Sequence, residues 1–185
     1  ERDRHANREG APGAFGERWI ELGKAYGGDL VRYEPGWGAR LDPAEIDRLL
    51  SENADVIVGA ASSGVSLTVI DKITGAGVIQ FSPANTSPDF TDYDDNGLYF
   101  RTAPSDVLQG RVLADLIVAD GNATVGIMAR QDPYGEGLLQ YTAEPLAEAG
   151  AEVTNDGGIV YDPAAENFDA EVARWSGVWS AVRRR

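Results

Sequence analysis

The sequence predicts an α/β fold built on a parallel sheet, and three observations carry that prediction. From residue 29 onward, short apolar runs alternate with segments of helical periodicity. The runs are continuous, as in DVIVG at 55–59, which marks strands covered on both faces rather than one. Helix-opening residues stand between them, Asp42-Pro43 and Pro104-Ser105-Asp106 among them, so strands and helices take turns along the chain.

Taken in order, residues 1–28 are crowded with Arg, Glu and Gly, and only Trp19, Ile20 and Leu22 make an apolar patch. That composition predicts a short helix around 17–25 with disorder before it. Leu30–Tyr33 is a strand candidate. Asp42 as cap and Pro43 as first residue open a helix in which Ile46, Leu49 and Leu50 recur at helical spacing. Asp55–Gly59 is a strand, Val65–Thr74 a helix with Val69, Ile70 and Ile73 inward, and Val78–Phe81 the next strand. Leu98–Arg101 follows as a strand. A longer helix opens at Pro104–Asp106, with Leu108, Val112, Leu113, Leu116 and Ile117 on the stripe expected to face the core. Ala123–Ala129 reads as a strand, Gly135–Ala149 as a helix, Ala151–Val153 and Gly158–Tyr161 as strands, and Phe168–Trp175 as a final helix. Asp120-Gly121-Asn122 is the candidate boundary between two halves.

Bulk properties narrow the function. Of 185 residues, 43% are hydrophobic and 25% charged, an ordinary globular balance. Thirty acidic residues against 16 basic ones give a net charge of −14, a field that repels nucleic acid and anionic membrane surfaces. The absence of cysteine excludes disulfides, thiolate catalysis and cysteine-based metal sites. No apolar run approaches the roughly 18 residues of a membrane span.

Three strand ends carry unusual chemistry, and ligands of open α/β sheets sit beyond such ends. Gly59–Ser66 (GAASSGVS) has Walker A spacing, but Val65 stands where the phosphate-binding lysine belongs. It also approximates a nucleophile elbow, yet the only histidine, His5, lies near the N-terminus and precedes the serine, so a hydrolase is rejected. What remains is a helix N-terminus with the hydroxyls of Ser62 and Ser63: either a carboxylate site or a simple cap. At the second end, Ser82-Pro83-Ala84-Asn85-Thr86-Ser87-Pro88 stops a strand between two prolines. There Ala84 offers an unobstructed carbonyl and Thr86 a hydroxyl and an N–H, acceptors and donors suited to a zwitterion; a plain surface turn is the competing reading. The third end, Arg130–Gly137 (RQDPYGEG), places Asp132 and Tyr134 before a helix, where a tyrosine ring can stack on a ligand. A fourth stretch, Asp92–Gly97 (DYDDNG), matches half of a calcium loop but has Ala103 where a bidentate Glu is needed, so a solvated turn is expected. The residues predict no metal, no cofactor and no catalysis.

In order, VIVGAASSG, GVIQFSPANTSPDF, FRTAPSDVLQG, DPYGEG and YDPAAENFD resemble the periplasmic solute-binding proteins of the leucine/isoleucine/valine class, which serve ABC transporters. The resemblance spans about Asp55 to Asp169. It implies a type I fold of two α/β lobes that close on a ligand, with residues 29–121 as part of lobe 1 and 122–185 as the start of lobe 2. Ser63 matches the serine that holds the ligand carboxylate, Ala84 the carbonyl that takes the ammonium, Thr86 the threonine touching both, and Tyr134 the tyrosine that closes over the ligand. Ser62 and Asp132 are further candidates. The resemblance implies an extracytoplasmic receptor that hands a branched-chain or similar small amino acid to a membrane permease. An amide or urea receptor of the same fold and the ligand-sensing part of a regulatory protein are the alternatives. Residues 1–28 and the tail 177–185, GVWSAVRRR, depart from the family pattern. The family also continues beyond this C-terminus and supplies from there an acid for the ligand ammonium. An incomplete product with both lobes unfinished is therefore expected, prone to low stability or self-association through uncovered sheet.

Overall fold

The computed structural model describes residues 14–33 and 42–182. The disorder expected at the N-terminus falls largely on 1–13, and the terminal arginines on 183–185, outside the described residues. The chain divides into two compact units, Glu1–Ala54 and Asp55–Arg185.

The first unit holds two helices. α1 spans Ala14–Ala25, covering the predicted 17–25. Leu30–Tyr33 is not a strand: among the described residues it finds no partner strand, and it lies along α1 instead, with Leu30 close against Gly23 and Arg32 donating to Glu17 over 3.2 Å. α2 spans Pro43–Ser51 and begins as the sequence predicts, with the Asp42 carboxylate accepting from the Ala44 N–H at 2.9 Å. Ile46 and Leu49 are its buried residues, as the spacing requires.

The second unit is the α/β body. β1 (Val56–Val58), β2 (Ile79–Ser82) and β3 (Tyr99–Arg101) form a parallel sheet in that order, with Val56 opposite Ile79 and Gln80 opposite Tyr99. α3 (Ser63–Gly75) is helical despite its β-branched residues, because burial of Val69, Ile70 and Ile73 outweighs their mild propensity cost. Ile70, Phe90 and Tyr99 form a core cluster, the two rings stacked 4.5 Å apart. β2 ends at Ser82, and Pro83 prevents its extension. Pro88–Phe90 is one 3-10 turn, opened by Ser87. The cover on both faces that the continuous apolar runs predict is not found: on the opposite face of this sheet, Val56, Val58 and Phe100 are 47%, 52% and 49% exposed.

The apolar run 123–129 is two strands, not one. β4 (Thr124–Val125) pairs with β6 (Glu152–Val153), and β5 (Met128–Arg130) with β7 (Ile159–Tyr161), both parallel. Between them the Trp175 ring lies so close to Gly126 that a Cβ there would come within 3.1 Å.

α4 (Asp106–Ala119) and α5 (Pro133–Glu148) pack along one another, and here the expected stripe is overturned. Leu108, Val112, Leu113 and Leu116 are exposed, whereas Asp106, Gly110 and Ala114 are buried. The cause is the closeness of the helices: a Cβ on Gly110 would lie 2.5 Å from the Tyr141 carbonyl. Only the small face of α4 fits such a contact, so volume decides the orientation and hydrophobicity does not.

Candidate functional site

Four elements converge at the carboxyl ends of β1 and β2. The loop after β1 is held by side chains: Ser66 Oγ accepts from the Ala60 N–H at 2.9 Å, and Ser82 Oγ donates to the Ala60 carbonyl at 2.7 Å. Ser62 then occupies the cap position of α3, but its side chain makes no cap bond and is exposed. The simple-cap reading of Ser62 is therefore not what the structure adopts. Ser63, the first residue of α3, is buried, and its hydroxyl accepts from the N–H groups of Thr86 and Ser87, each at 3.3 Å. Ser63 thus ties the first strand-end loop to the second, and among the described residues its own O–H proton has no acceptor.

Thr86 is buried and turns its hydroxyl the other way, donating to Asp106 Oδ2 at 2.9 Å. The Asp106 N–H donates to the Thr86 carbonyl at 2.8 Å, so the two residues are doubly linked. Asp106 is the first residue of α4 and fully buried, and its second oxygen, Oδ1, has no hydrogen-bond partner among the described residues. Burial pushes its carboxyl above the usual range, while the Thr86 bond and the nearby Arg101 charge pull it back. An unpartnered buried carboxylate oxygen costs free energy unless something fills its lone pairs, and a cation would do so.

Ala84 is exposed on the same turn, and among the described residues its carbonyl accepts no hydrogen bond. Arg101 braces this turn, with Nη1 donating to the Ser87 carbonyl at 2.6 Å and its guanidinium 5.7 Å from the Phe90 ring centre.

The first turn of α5 closes the arrangement from the other side. A Cβ on Gly64 would stand 3.3 Å from Pro133, and one on Gly137 would stand 2.7 Å from Pro88 and 4.0 Å from Asp106 Oδ2. Tyr134 follows Pro133 and is 42% exposed. Asp132 caps α5, with Oδ1 accepting from the Gly135 N–H at 2.8 Å and Oδ2 paired with Arg130 at 2.7 Å, so both its oxygens are occupied.

Of the residues singled out from sequence, the structure links Ser63 directly to Thr86, sets Ala84 on the same turn, and brings the head of α5, with Asp132 and Tyr134, beside the start of α3. Asp106 was missed as a site residue. An acid at the head of a helix is the commonest of arrangements, and only its complete burial distinguishes this one. Asn85 was missed for a similar reason, standing among turn-forming residues.

This half-buried mix of donors and acceptors can be set against known proteins. The family described as the receptor family ligand binding region matches residues 29–177. The Leu/Ile/Val-binding protein homolog 2 of Brucella abortus is 29% identical over 132 residues, which is 69% of this chain and 34% of that protein. Metabotropic glutamate receptor 4 of Macaca fascicularis is 28% identical over 119 residues, 64% of this chain and 13% of the receptor. Among solved structures, an ABC transporter substrate-binding protein from Desulfitobacterium hafniense in complex with Leu superposes with a TM-score of 0.63 at 25% identity, over 90% of this chain and 50% of that one. An extracellular ligand-binding receptor from Rhodopseudomonas palustris gives 0.64 at 25% identity, over 71% and 36%. The chain thus spans half or less of the length of these relatives, which are binding proteins and receptors by name rather than enzymes. A match across most of its length and the likeness of fold agree, and the chain belongs to the family described as the receptor family ligand binding region, with the type I fold of solute-binding proteins.

Proposed function

We propose that this chain is ligand-capturing sequence of an extracytoplasmic receptor for a branched-chain or closely related small amino acid, which it hands to an ABC-transporter permease. The observation that carries this reading is Asp106: a buried carboxylate with one unpartnered oxygen, bonded to Thr86, which sits beside Ser63. In this assignment the ligand carboxylate takes the Ser63 O–H, the Ser62 hydroxyl and the uncapped first turn of α3. The ammonium takes Asp106 Oδ1 and the Ala84 carbonyl. The Thr86 hydroxyl, donating to Asp106, keeps lone pairs for the ammonium as well. Tyr134, on the head of α5, covers the ligand, and the small residues Ala60, Ala61 and Ala84 leave room for an aliphatic side chain.

Each charge-assisted hydrogen bond contributes about 1.5–3 kcal/mol once water is excluded. A neutral amide or urea offers no cation to Asp106, and so ranks below an amino acid. The relation to a glutamate receptor favours a second reading, in which the same amino-acid site serves sensing rather than transport.

Thermal unfolding with leucine, isoleucine, valine, a short-chain amide or urea tests the assignment. A ligand at 100 times its dissociation constant adds about 2.7 kcal/mol to the native state. An upward shift with an aliphatic amino acid is expected. A shift with the amide or urea alone would overturn the amino-acid assignment.

A further inference from the structure

One buried amide joins the two loops on which the proposed ligand contacts sit. Asn85 stands between Ala84 and Thr86 and is fully buried. Its Nδ2 donates to the Ala60 carbonyl at 3.1 Å and to the Ala61 carbonyl at 3.0 Å, spending both N–H bonds on the segment that leads into Ser62 and Ser63. Its Oδ1 accepts from the Tyr99 hydroxyl at 2.9 Å, and its backbone N–H donates to Ser82 Oγ at 3.1 Å. Tyr99 is in turn fixed by stacking on Phe90. The side chain is thus pinned at one end by β3 and at the other reaches across to the loop after β1.

We propose that Asn85, oriented by Tyr99, is the positioning residue that sets the separation between the carboxylate-binding and ammonium-binding halves of the site. The proposal rests on the zwitterion reading above and deepens it. The Ser63 links to Thr86 and Ser87 are long, at 3.3 Å each, and are too weak to hold two loops in register by themselves. Ser82 Oγ also reaches the Ala60 carbonyl, at 2.7 Å, but from the end of β2; Asn85 lies between Ala84 and Thr86 themselves and supplies two bonds shorter than those of Ser63, from a rigid, buried planar group. A zwitterion gains from both its ends only when the two subsites stand at its own charge spacing, because fixed geometry is what turns two weak attachments into one tight one.

Two measurements on the 185-residue chain test this, with Asn85→Ala and Tyr99→Phe. Tyr99→Phe keeps the ring on Phe90 and removes only the hydroxyl, so it guards against a variant that fails to fold. The first measurement needs no ligand. Hydrogen exchange at the amides of Thr86 and Ser87 is expected to quicken in both variants, with α5 amides unchanged. Unaltered exchange at 86–87 would overturn the staple, whatever the protein binds.

The second measurement compares leucine with 4-methylpentanoate, which lacks the ammonium, and 3-methylbutylamine, which lacks the carboxylate. Asn85→Ala is expected to weaken leucine by about tenfold to hundredfold, the loss of one charge-assisted contact, while leaving the two single-ended analogues within about twofold. Tyr99→Phe is expected to give a smaller loss in the same pattern, with no further loss when combined with Asn85→Ala. Equal weakening of all three ligands would mean general loosening and would overturn the positioning role. A wild-type chain that binds none of the three, with exchange responding as expected, would overturn the zwitterion reading while the staple stands.

Discussion

The Thr86 hydroxyl lies 2.9 Å from Asp106 Oδ2, and the Asp106 N–H lies 2.8 Å from the Thr86 carbonyl. This double link joins the turn after β2 to the head of α4 and leaves the other oxygen of Asp106 buried without a partner. Burial raises the Asp106 carboxyl above its unfolded value, so folding favours the protonated form. Its contribution to stability is therefore greatest below the ordinary carboxylate range of about 4, and is lost as pH rises through the folded value. Asp106→Asn removes that dependence. Denaturant midpoints from acid to neutral pH should show wild type losing ground to Asp106→Asn as pH rises, and the opposite slope would refute the assignment.

Ligand binding inverts the preference. An ammonium against Asp106 Oδ1 favours the ionised carboxylate, so capture of an amino acid at the folded midpoint should expel up to about half a proton, rising toward one at pH values between the bound and the free midpoints. Calorimetric titration in two buffers of different ionisation enthalpy measures that number. Asp106→Asn should abolish proton release and cost about 1.5–3 kcal/mol of affinity for leucine.

Arg101 influences the same group from the side. Its charge lowers the Asp106 carboxyl, and its fork holds the Ser87 carbonyl and Thr91 Oγ1, at 2.6 Å and 3.1 Å. Arg101→Met should move the pH dependence of both stability and leucine binding upward. Arg101→Lys keeps the charge but not the fork, so it should leave the pH profile near wild type while lowering stability by about 1 kcal/mol.

Gly110→Ala should be costly. The added Cβ meets backbone atoms of Tyr141 at 2.5 Å, and backbone cannot rotate away as a side chain can. Forcing α4 and α5 apart should cost about 1–3 kcal/mol or more by chemical denaturation. Gly75→Ala is the control: it is helical, open on all sides, and should gain up to about 1 kcal/mol. Equal effects of the two substitutions would contradict the close helix contact.

Leu108→Gln and Leu116→Gln should each change stability by less than about 0.5 kcal/mol, because both side chains are 58% exposed. Losses of the 2–5 kcal/mol typical of core leucines, roughly, would restore the apolar stripe as the packed face.

How far the sequence reveals the fold depends on whether local and tertiary forces agree. DVIVG and VIQF are strands because nothing competes with their pattern, and Asp42 caps α2 because a cap is a local device. On α4 the forces disagree. Its leucines mark one face, but the packing partner is a backbone, and no hydropathy pattern announces that a glycine and an alanine will be chosen instead. Leu30–Tyr33 has strand composition but, among the described residues, no strand to pair with. At the candidate site, Ser63 and Thr86 could be singled out because hydroxyl residues at strand ends suit a polar ligand. Asp106 and Asn85 could not, since their distinction is burial and side-chain partners that lie 20 residues away for Asp106 and 14, 24 and 25 away for Asn85.

The Gly110 contact has a mechanical meaning. Where two helices touch main chain to main chain, there is no layer of rotating side chains to act as lubricant. α4 and α5 therefore travel together, like two plates joined by a rivet. Asp106 sits at the tip of one plate, and Tyr134 near the tip of the other. In the proposed site, a displacement of the helix carrying the tyrosine would be delivered to the carboxylate, so grip on a ligand and its covering would be a single stroke.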